Sequence, residues 1–300
     1  MGALLSIMFI SCVSQNAVTA EEYYSLGMAY FNLKNYAEAE KWLGRAVAVD
    51  KTKAASEYQL GRIAFETGRY EDALYYFELV LHRDAVNVLA LQAAAYTCIR
   101  LDRMESAESY YNRTLVLVPE SADNGYNHAL VLLAMGKAEE AETVLQRYPY
   151  ALEEKGDALL LLARIRRARN RGEAIDNYAD WLDQPNHSDN RVSLEYALVL
   201  EQNELYARAL EVYQTLINSL QASDIIIVDG KEYRNFTVRF LKARLLFIAD
   251  PENEEGLTEF ENAITAGFAD LDALRELAAD QRLSKRGRET VQASLDALEV

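Results

Sequence analysis

The chain has 300 residues, half of them hydrophobic and 26% charged, enough to fill a sizeable core, which excludes a disordered polymer. A formal charge of −16 excludes a nucleic-acid surface, because phosphates need a basic face, and suits a partner with basic patches. Four prolines and thirteen glycines, set among abundant Ala, Leu and Glu, favour helix throughout.

At the N-terminus, Ala3 to Val13 form an apolar run too short to span a membrane and remain as an anchor. It reads as the hydrophobic region of an export signal covering residues 1–20. Two processing routes are open. Val18-Thr19-Ala20 offers the small residues that a general signal peptidase needs, releasing a chain that starts at Glu21. Phe9-Ile10-Ser11-Cys12 resembles a loose bacterial lipobox, with Cys12 carrying the lipid and Phe9 standing where Leu is usual. Either route delivers the chain to the periplasm, and the second tethers it to a membrane. Stable tethering takes more than one acyl chain, which a diacylated or triacylated cysteine supplies. Cys98 is the other cysteine, so no disulfide framework exists. Its place on an apolar helix face reads as a small buried hydrophobe.

From residue 20 onward an internal repeat organises the chain. Starting at Gly27 and stepping by 34 residues lands on Gly61, Ala95, Ala129, Ala163 and Ala197. A second small-residue series runs through Ala39, Ala73, Ala107, Ala141 and Ala209, with Ala174 one place early in the fifth position. Each period reads as two amphipathic helices joined by a short turn such as Gly68-Arg69-Tyr70 or Gly136-Lys137-Ala138. Small residues at one period mark where the two helices cross closely, since a larger side chain would hold the backbones apart. Leu26, Leu60 and Leu162 in the first helix, with Leu43, Phe77, Tyr111, Leu145 and Tyr213 in the second, fill the space around these crossings. Pro119, Pro149, Pro185 and Pro251 fall at predicted helix ends.

These residues resemble the tetratricopeptide repeat family. Tyr23, Leu26, Gly27, Tyr30, Ala39, Leu43 and Ala46 match its signature positions in the first unit, as do Leu60, Gly61, Tyr70, Ala73 and Phe77 in the second. Ala107, Tyr111 and Pro119 match in the third. The resemblance implies an all-α fold, a right-handed α-solenoid of tandem helix-turn-helix repeats closed by a C-terminal capping segment. Six units are expected at about 20–53, 54–87, 88–121, 122–155, 156–189 and 190–223. A hairpin or extended linker follows at 224–235, marked by Asp229-Gly230 after a β-branched run. A degenerate seventh helix pair spans 236–266, with Ala243 or Arg244 at the close contact and Phe260 in its second helix. Residues 267–300 form capping helices.

Catalytic patterns are missing from the sequence. His82, His128 and His187 are scattered, with no HExxH or CxxC spacing, phosphate loop or GxSxG elbow. The expectation is therefore a non-enzyme without cofactor or metal. The resemblance implies that a groove lined by the first helices takes partner segments. Carried over residue by residue, that side shows Tyr24, Met28 and Phe31, then Tyr58, Arg62 and Phe65, then Gln92, Tyr96 and Arg100. It continues through Tyr126, Asn127 and Leu130 to Leu160, Arg164 and Arg167. Tyr58, Arg62, Phe65, Tyr96, Arg100 and Tyr126 are expected to form one patch, because Tyr and Arg dominate binding hot spots. Packing inside the solenoid is the alternative role for each. The paired Lys and Asn of the family's carboxylate clamp are absent, with Asn127 alone. The run Arg164 to Arg171 reads either as a site for an acidic partner or as a complement to a helix dipole. Two functions stay open: a scaffold binding protein partners of an envelope complex, or a transport accessory binding a solute-binding protein or small ligand.

Overall fold

Sixteen helices and one two-stranded hairpin make up the described part of the computed structural model, residues 19–49, 53–148, 156–185 and 187–299. Cys12, the rest of the expected export signal up to Val18, and Pro149 lie outside the described residues. The chain divides into two compact units between Gly136 and Lys137.

The first unit holds α1 (Ala20–Asn32), α2 (Tyr36–Val47), α3 (Lys53–Glu66), α4 (Tyr70–Arg83), α5 (Val88–Arg100), α6 (Met104–Leu117) and α7 (Ala122–Ala134). The second holds α8 (Ala138–Leu145), α9 (Gly156–Ala168), α10 (Ala174–Leu182), α11 (Asn190–Gln202) and α12 (Tyr206–Ser219). The hairpin β1 (Ile226–Val228) and β2 (Lys231–Tyr233) comes next, then α13 (Asn235–Ala249), α14 (Glu254–Thr265), α15 (Leu271–Ala279) and α16 (Lys285–Leu298). This is the tandem helix-turn-helix arrangement that the 34-residue period predicts.

One device closes the first helix of each of the six repeat pairs up to α11 and α12. Lys34, Gly68, Asp102, Gly136, Asn170 and Glu204 all have positive φ, and they follow one another at 34-residue steps. Around five of them the N–H of the next residue bonds a carbonyl five residues back: Asn35 to Tyr30, Arg69 to Ala64, Arg103 to Cys98, Arg171 to Arg166 and Leu205 to Leu200. That is a Schellman cap, which satisfies carbonyls at the helix end and reverses the chain. Gly68, Gly136, Asp102 and Asn170 are types that adopt this conformation readily, whereas at Lys34 and Glu204 packing holds the left-handed turn. Asn170 keeps the step while Ala174 sits one place early, so the missing residue of the fifth repeat lies between them.

Both small-residue series sit in the core. Ala95, Ala129, Ala163 and Ala197 are fully buried, as are Ala39, Ala73, Ala107, Ala141, Ala174 and Ala209. A methyl group on Gly27 would come within 2.6 Å of Leu43 Cγ, and one on Gly61 within 2.7 Å of Phe77 Cε1. The large residues opposite, Leu43, Phe77, Tyr111, Leu145 and Tyr213, are buried too. Tyr178 takes that role in the fifth repeat, one place early like Ala174. Leu26 departs from the expected pattern. Its counterparts Leu60 and Leu162 are buried, yet Leu26 is 38% exposed. Helix α2 packs on α3 and α8 on α9, whereas among the described residues nothing precedes α1 to cover that face.

In the second unit Asp229 and Gly230, both at positive φ, turn the hairpin, with Ile226 opposite Tyr233 and Val228 opposite Lys231. Ile226 and Val228 face the core beside α11, while Ile225 and Ile227 face outward. Of the two candidates for the close contact in α13, Ala243 is fully buried; Arg244 lies half-exposed. Phe260 of α14 is fully buried, and α15 and α16 extend the same core with Leu274, Leu277, Val291 and Leu295.

Candidate interaction surface

Each Schellman turn folds the start of one helix back over the end of the one before, and this builds the surface of the first unit. Phe31, in the last turn of α1, meets Tyr36 at the start of α2 with ring centroids 5.8 Å apart. The next repeat adds Arg62 of α3, whose guanidinium lies 4.6 Å from the centre of the Phe31 ring. The arrangement recurs 34 residues on. Phe65 meets Tyr70 at 5.3 Å, and Tyr96 of α5 comes to 5.3 Å from Phe65 on the other side. Arg100 then lies 4.8 Å over the Tyr70 ring. At exposed sites such cation–π contacts contribute about 0.5–1 kcal/mol each, enough to order the side chains without burying them. The third occurrence would use Ile99, Met104 and Leu130, so the aromatic character ends there.

Phe31, Arg62, Phe65, Tyr96 and Arg100 are thus brought into two linked clusters on neighbouring helices. Tyr96 is 50% exposed and Arg100 is exposed, whereas Phe31, Arg62 and Phe65 are half-buried. Tyr58 departs from the expected patch. Its ring stands 5.6 Å from buried Phe77, and burial pushes its hydroxyl pKa up against the pull of Arg62. Tyr24 packs half-buried on the core around Leu43 and Leu60. Met28 is half-buried, and Gln92 donates to Asn124 at 2.8 Å. Tyr126 and Asn127 sit half-buried on α7, and Leu130 is 39% exposed.

The arginines of the second unit require a correction. Arg164 makes a two-pronged ion pair with Glu195, at 2.9 and 3.1 Å, and Glu195 is 2% exposed. Arg167 is ion-paired with Asp229 in the hairpin turn. Arg166, Arg169 and Arg171 converge on Glu142, which is 3% exposed. Arg164, Arg166, Arg169 and Arg171 therefore neutralise buried carboxylates from other helices, and Arg167 holds the hairpin turn. Leu160, nominated for the groove, is buried in the core instead.

Cys98 is fully buried, and burial pushes its thiol pKa up to about 11, which leaves little thiolate to react. His82 lies in the last turn of α4, His128 within α7 and His187 after α10. No group of three or more His, Cys, Asp or Glu side chains among the described residues is placed to hold a metal. No described helix is long and apolar enough to cross a membrane.

Two tetratricopeptide repeat family models match the chain, over residues 18–84 and 58–122. Residues 18–122 are tetratricopeptide repeats. Solved structures carry the same fold past the matched segment. A tetratricopeptide repeat protein from Parabacteroides merdae aligns with TM-score 0.58 at 18% identity, covering 91% of this chain and 98% of that one. The C-terminal part of a repeat protein from Cytophaga hutchinsonii aligns with TM-score 0.61 at 14% identity, over 81% and 95%. PilW, described as a type IV pilus biogenesis factor, aligns with TM-score 0.55 at 17% identity, over 67% and 93%. No curated protein matches the chain significantly. As a tetratricopeptide repeat protein it is a scaffold for protein interaction.

Sequence reasoning passed over Tyr36 and Tyr70 as surface residues, although both open a second helix two places after the left-handed residue. Their spacing of 34 residues was the available signal.

Proposed function

We propose that this tetratricopeptide repeat protein is a non-catalytic scaffold of a bacterial cell envelope, and that it holds a partner segment on the aromatic and arginine stripe of its first unit. The carrying observation is the recurrence of one contact set: Phe31 with Tyr36 and Arg62, then Phe65 with Tyr70 and Tyr96. Its outer members, Tyr96 and Arg100, pair aromatic area with hydrogen-bonding tips, the combination found in binding hot spots. Truncating a hot-spot residue to Ala typically weakens binding by about 2 kcal/mol or more. Tyr96→Ala and Arg100→Ala should therefore each lose the partner in pull-downs from detergent-solubilised envelopes while the melting temperature stays near wild type. Retained binding with a lowered melting temperature would assign both residues to packing.

The start of α1 bears on how the chain is processed. Thr19 and Glu22 form a capping box: the Thr19 N–H donates to Glu22 Oε2 at 2.6 Å, and the Glu22 N–H to Thr19 Oγ1 at 3.2 Å. Ala20 is buried in the same turn. Cleavage after Ala20 would remove the cap, worth about 1 kcal/mol, and leave a positive amino group at a helix N-terminus. Processing at Cys12 keeps both residues, and this supports the lipid-anchored route. A Cys12→Ala variant is then expected to leave the membrane pellet, and mature wild-type chains should begin at Cys12. A chain that begins at Glu21 and fractionates as soluble would overturn the anchored reading.

A further inference from the structure

We propose that an elongated cleft in the second unit binds an extended partner segment carrying Lys or Arg beside an apolar side chain, at a site separate from the stripe of the first unit. The cleft has a larger lobe of about 660 Å³ and a smaller one of about 230 Å³. Both are lined by Phe240 and Arg244 of α13 and by Ala273 and Glu276 of α15, so one recess continues into the other. Leu198 of α11 and the strand β2 form the opposite wall of the larger lobe.

The floor is apolar and fixed. Phe240 and Phe268 stack with centroids 4.1 Å apart and planes 13° from parallel, and each is almost fully buried below the cleft. Such a floor takes an apolar side chain without rearrangement.

The walls select charge. Arg244 is ion-paired with Glu201, and Arg282 with Asp280 at 2.7 Å, so two of the cleft's cations are already neutralised. Asp272 pairs with Arg275, and Asp270 caps α15 through the Ala273 N–H. Glu276 is exposed, faces both lobes, and makes no ion pair or side-chain hydrogen bond among the described residues. Glu232 across the cleft is held by Arg234 at 3.7 Å, which leaves Glu276 and the capping Asp270 against the one remaining lining cation, Lys231. A segment bearing positive side chains fits this balance, and the acidic chain as a whole would speed its approach.

The third wall supplies backbone. Lys231, Glu232 and Tyr233 line the cleft consecutively, so β2 presents an edge to it rather than one face. Val228 and Lys231 close the two-residue turn as a hydrogen-bonded pair, which leaves the N–H and C=O of Glu232 on the outer edge. Among the described residues no further strand pairs there. An extended peptide can add to such an edge while its alternate side chains reach floor and rim.

The test uses a labelled Lys-Val-Lys-Phe-Lys-Val peptide with blocked ends, alongside its Glu-Val-Glu-Phe-Glu-Val counterpart. Fluorescence anisotropy is measured at about 0.15 M salt, where charges beyond about 8 Å are screened. The lysine peptide should bind and the glutamate peptide should not. Glu276→Lys should weaken binding by about tenfold, whereas Glu71→Lys, an exposed position on α4 of the first unit, should change it less than about twofold. Tyr96→Ala should leave the peptide's affinity unchanged, which separates this site from the proposed stripe. Equal binding of the two peptides, no binding of either, or equal weakening by Glu71→Lys would overturn the proposal.

Discussion

Phe77→Ala is expected to lower unfolding free energy by about 4 kcal/mol, within the range for deleting a buried aromatic ring. Phe77 is 1% exposed and packs against Tyr58 and the backbone of Gly61. The more telling result is the coupling to that glycine. Ala is the better helix former by about 1 kcal/mol, so on propensity alone Gly61→Ala should stabilise α3. Its added methyl, however, would meet Phe77 at 2.7 Å from Cε1, 2.9 Å from Cδ1 and 3.0 Å from Cζ. A ring enclosed on all sides cannot swing away, and overpacking of this kind costs about 1–3 kcal/mol. Gly61→Ala should therefore destabilise the wild type and stabilise the Phe77→Ala variant by about 1 kcal/mol. Urea unfolding of the four proteins, followed by circular dichroism, reads the change of sign. A stabilising Gly61→Ala in the wild type would mean that the close approach does not limit that position.

The second large effect is electrostatic. Glu142→Gln keeps the shape of the side chain and removes the charge that Arg166, Arg169 and Arg171 share. Breaking a buried pair by removing one partner costs about 3–5 kcal/mol. The lower end applies here, because Arg169 and Arg171 are partly exposed and water screens them. A loss of about 3 kcal/mol is expected. The pH dependence follows from the same contacts. Burial pushes the Glu142 carboxyl pKa up, but the hydrogen bonds and charges of Arg166 and Arg169 outweigh it, and the net shift is below the ordinary 4.5. A carboxyl depressed in the folded state contributes stability above its unfolded pKa and loses it as pH falls through the folded value. The gap in melting temperature between wild type and Glu142→Gln should thus be full at pH 7 and shrink once the pH drops below about 4.5. A gap that stays constant to pH 3 would show that the carboxylate charge does not act through this pair.

Much of the candidate surface was readable only in part. Phe31, Arg62, Phe65, Tyr96 and Arg100 could be nominated because they occupy recurring places in the repeat, and the structure brings them together. Tyr58 occupies an equally regular place, yet its ring packs on Phe77. Arg164 and Arg167 share the residue type of Arg62 and Arg100, but buried Glu195 and the hairpin's Asp229 engage them. Periodicity locates a residue on a helix face without saying what the neighbouring helix places opposite it.

The sequence by itself determined the pairing of helices and the places where they touch, because a close crossing admits only Gly or Ala and that requirement repeats with the fold. Gly27, Gly61, Ala73 and Ala107 are buried for that reason alone. Tertiary structure decided the left-handed turns at Lys34 and Glu204, whose residue types ordinarily avoid positive φ. It also decided that Leu26 is exposed where Leu60 is buried, and that Glu142 and Glu195 lie inside with arginines from other helices. The division has one physical cause. Close backbone contact restricts residue size locally and leaves a mark in the chain, whereas turn conformation, burial of a flank and choice of ionic partner depend on which helix packs against which.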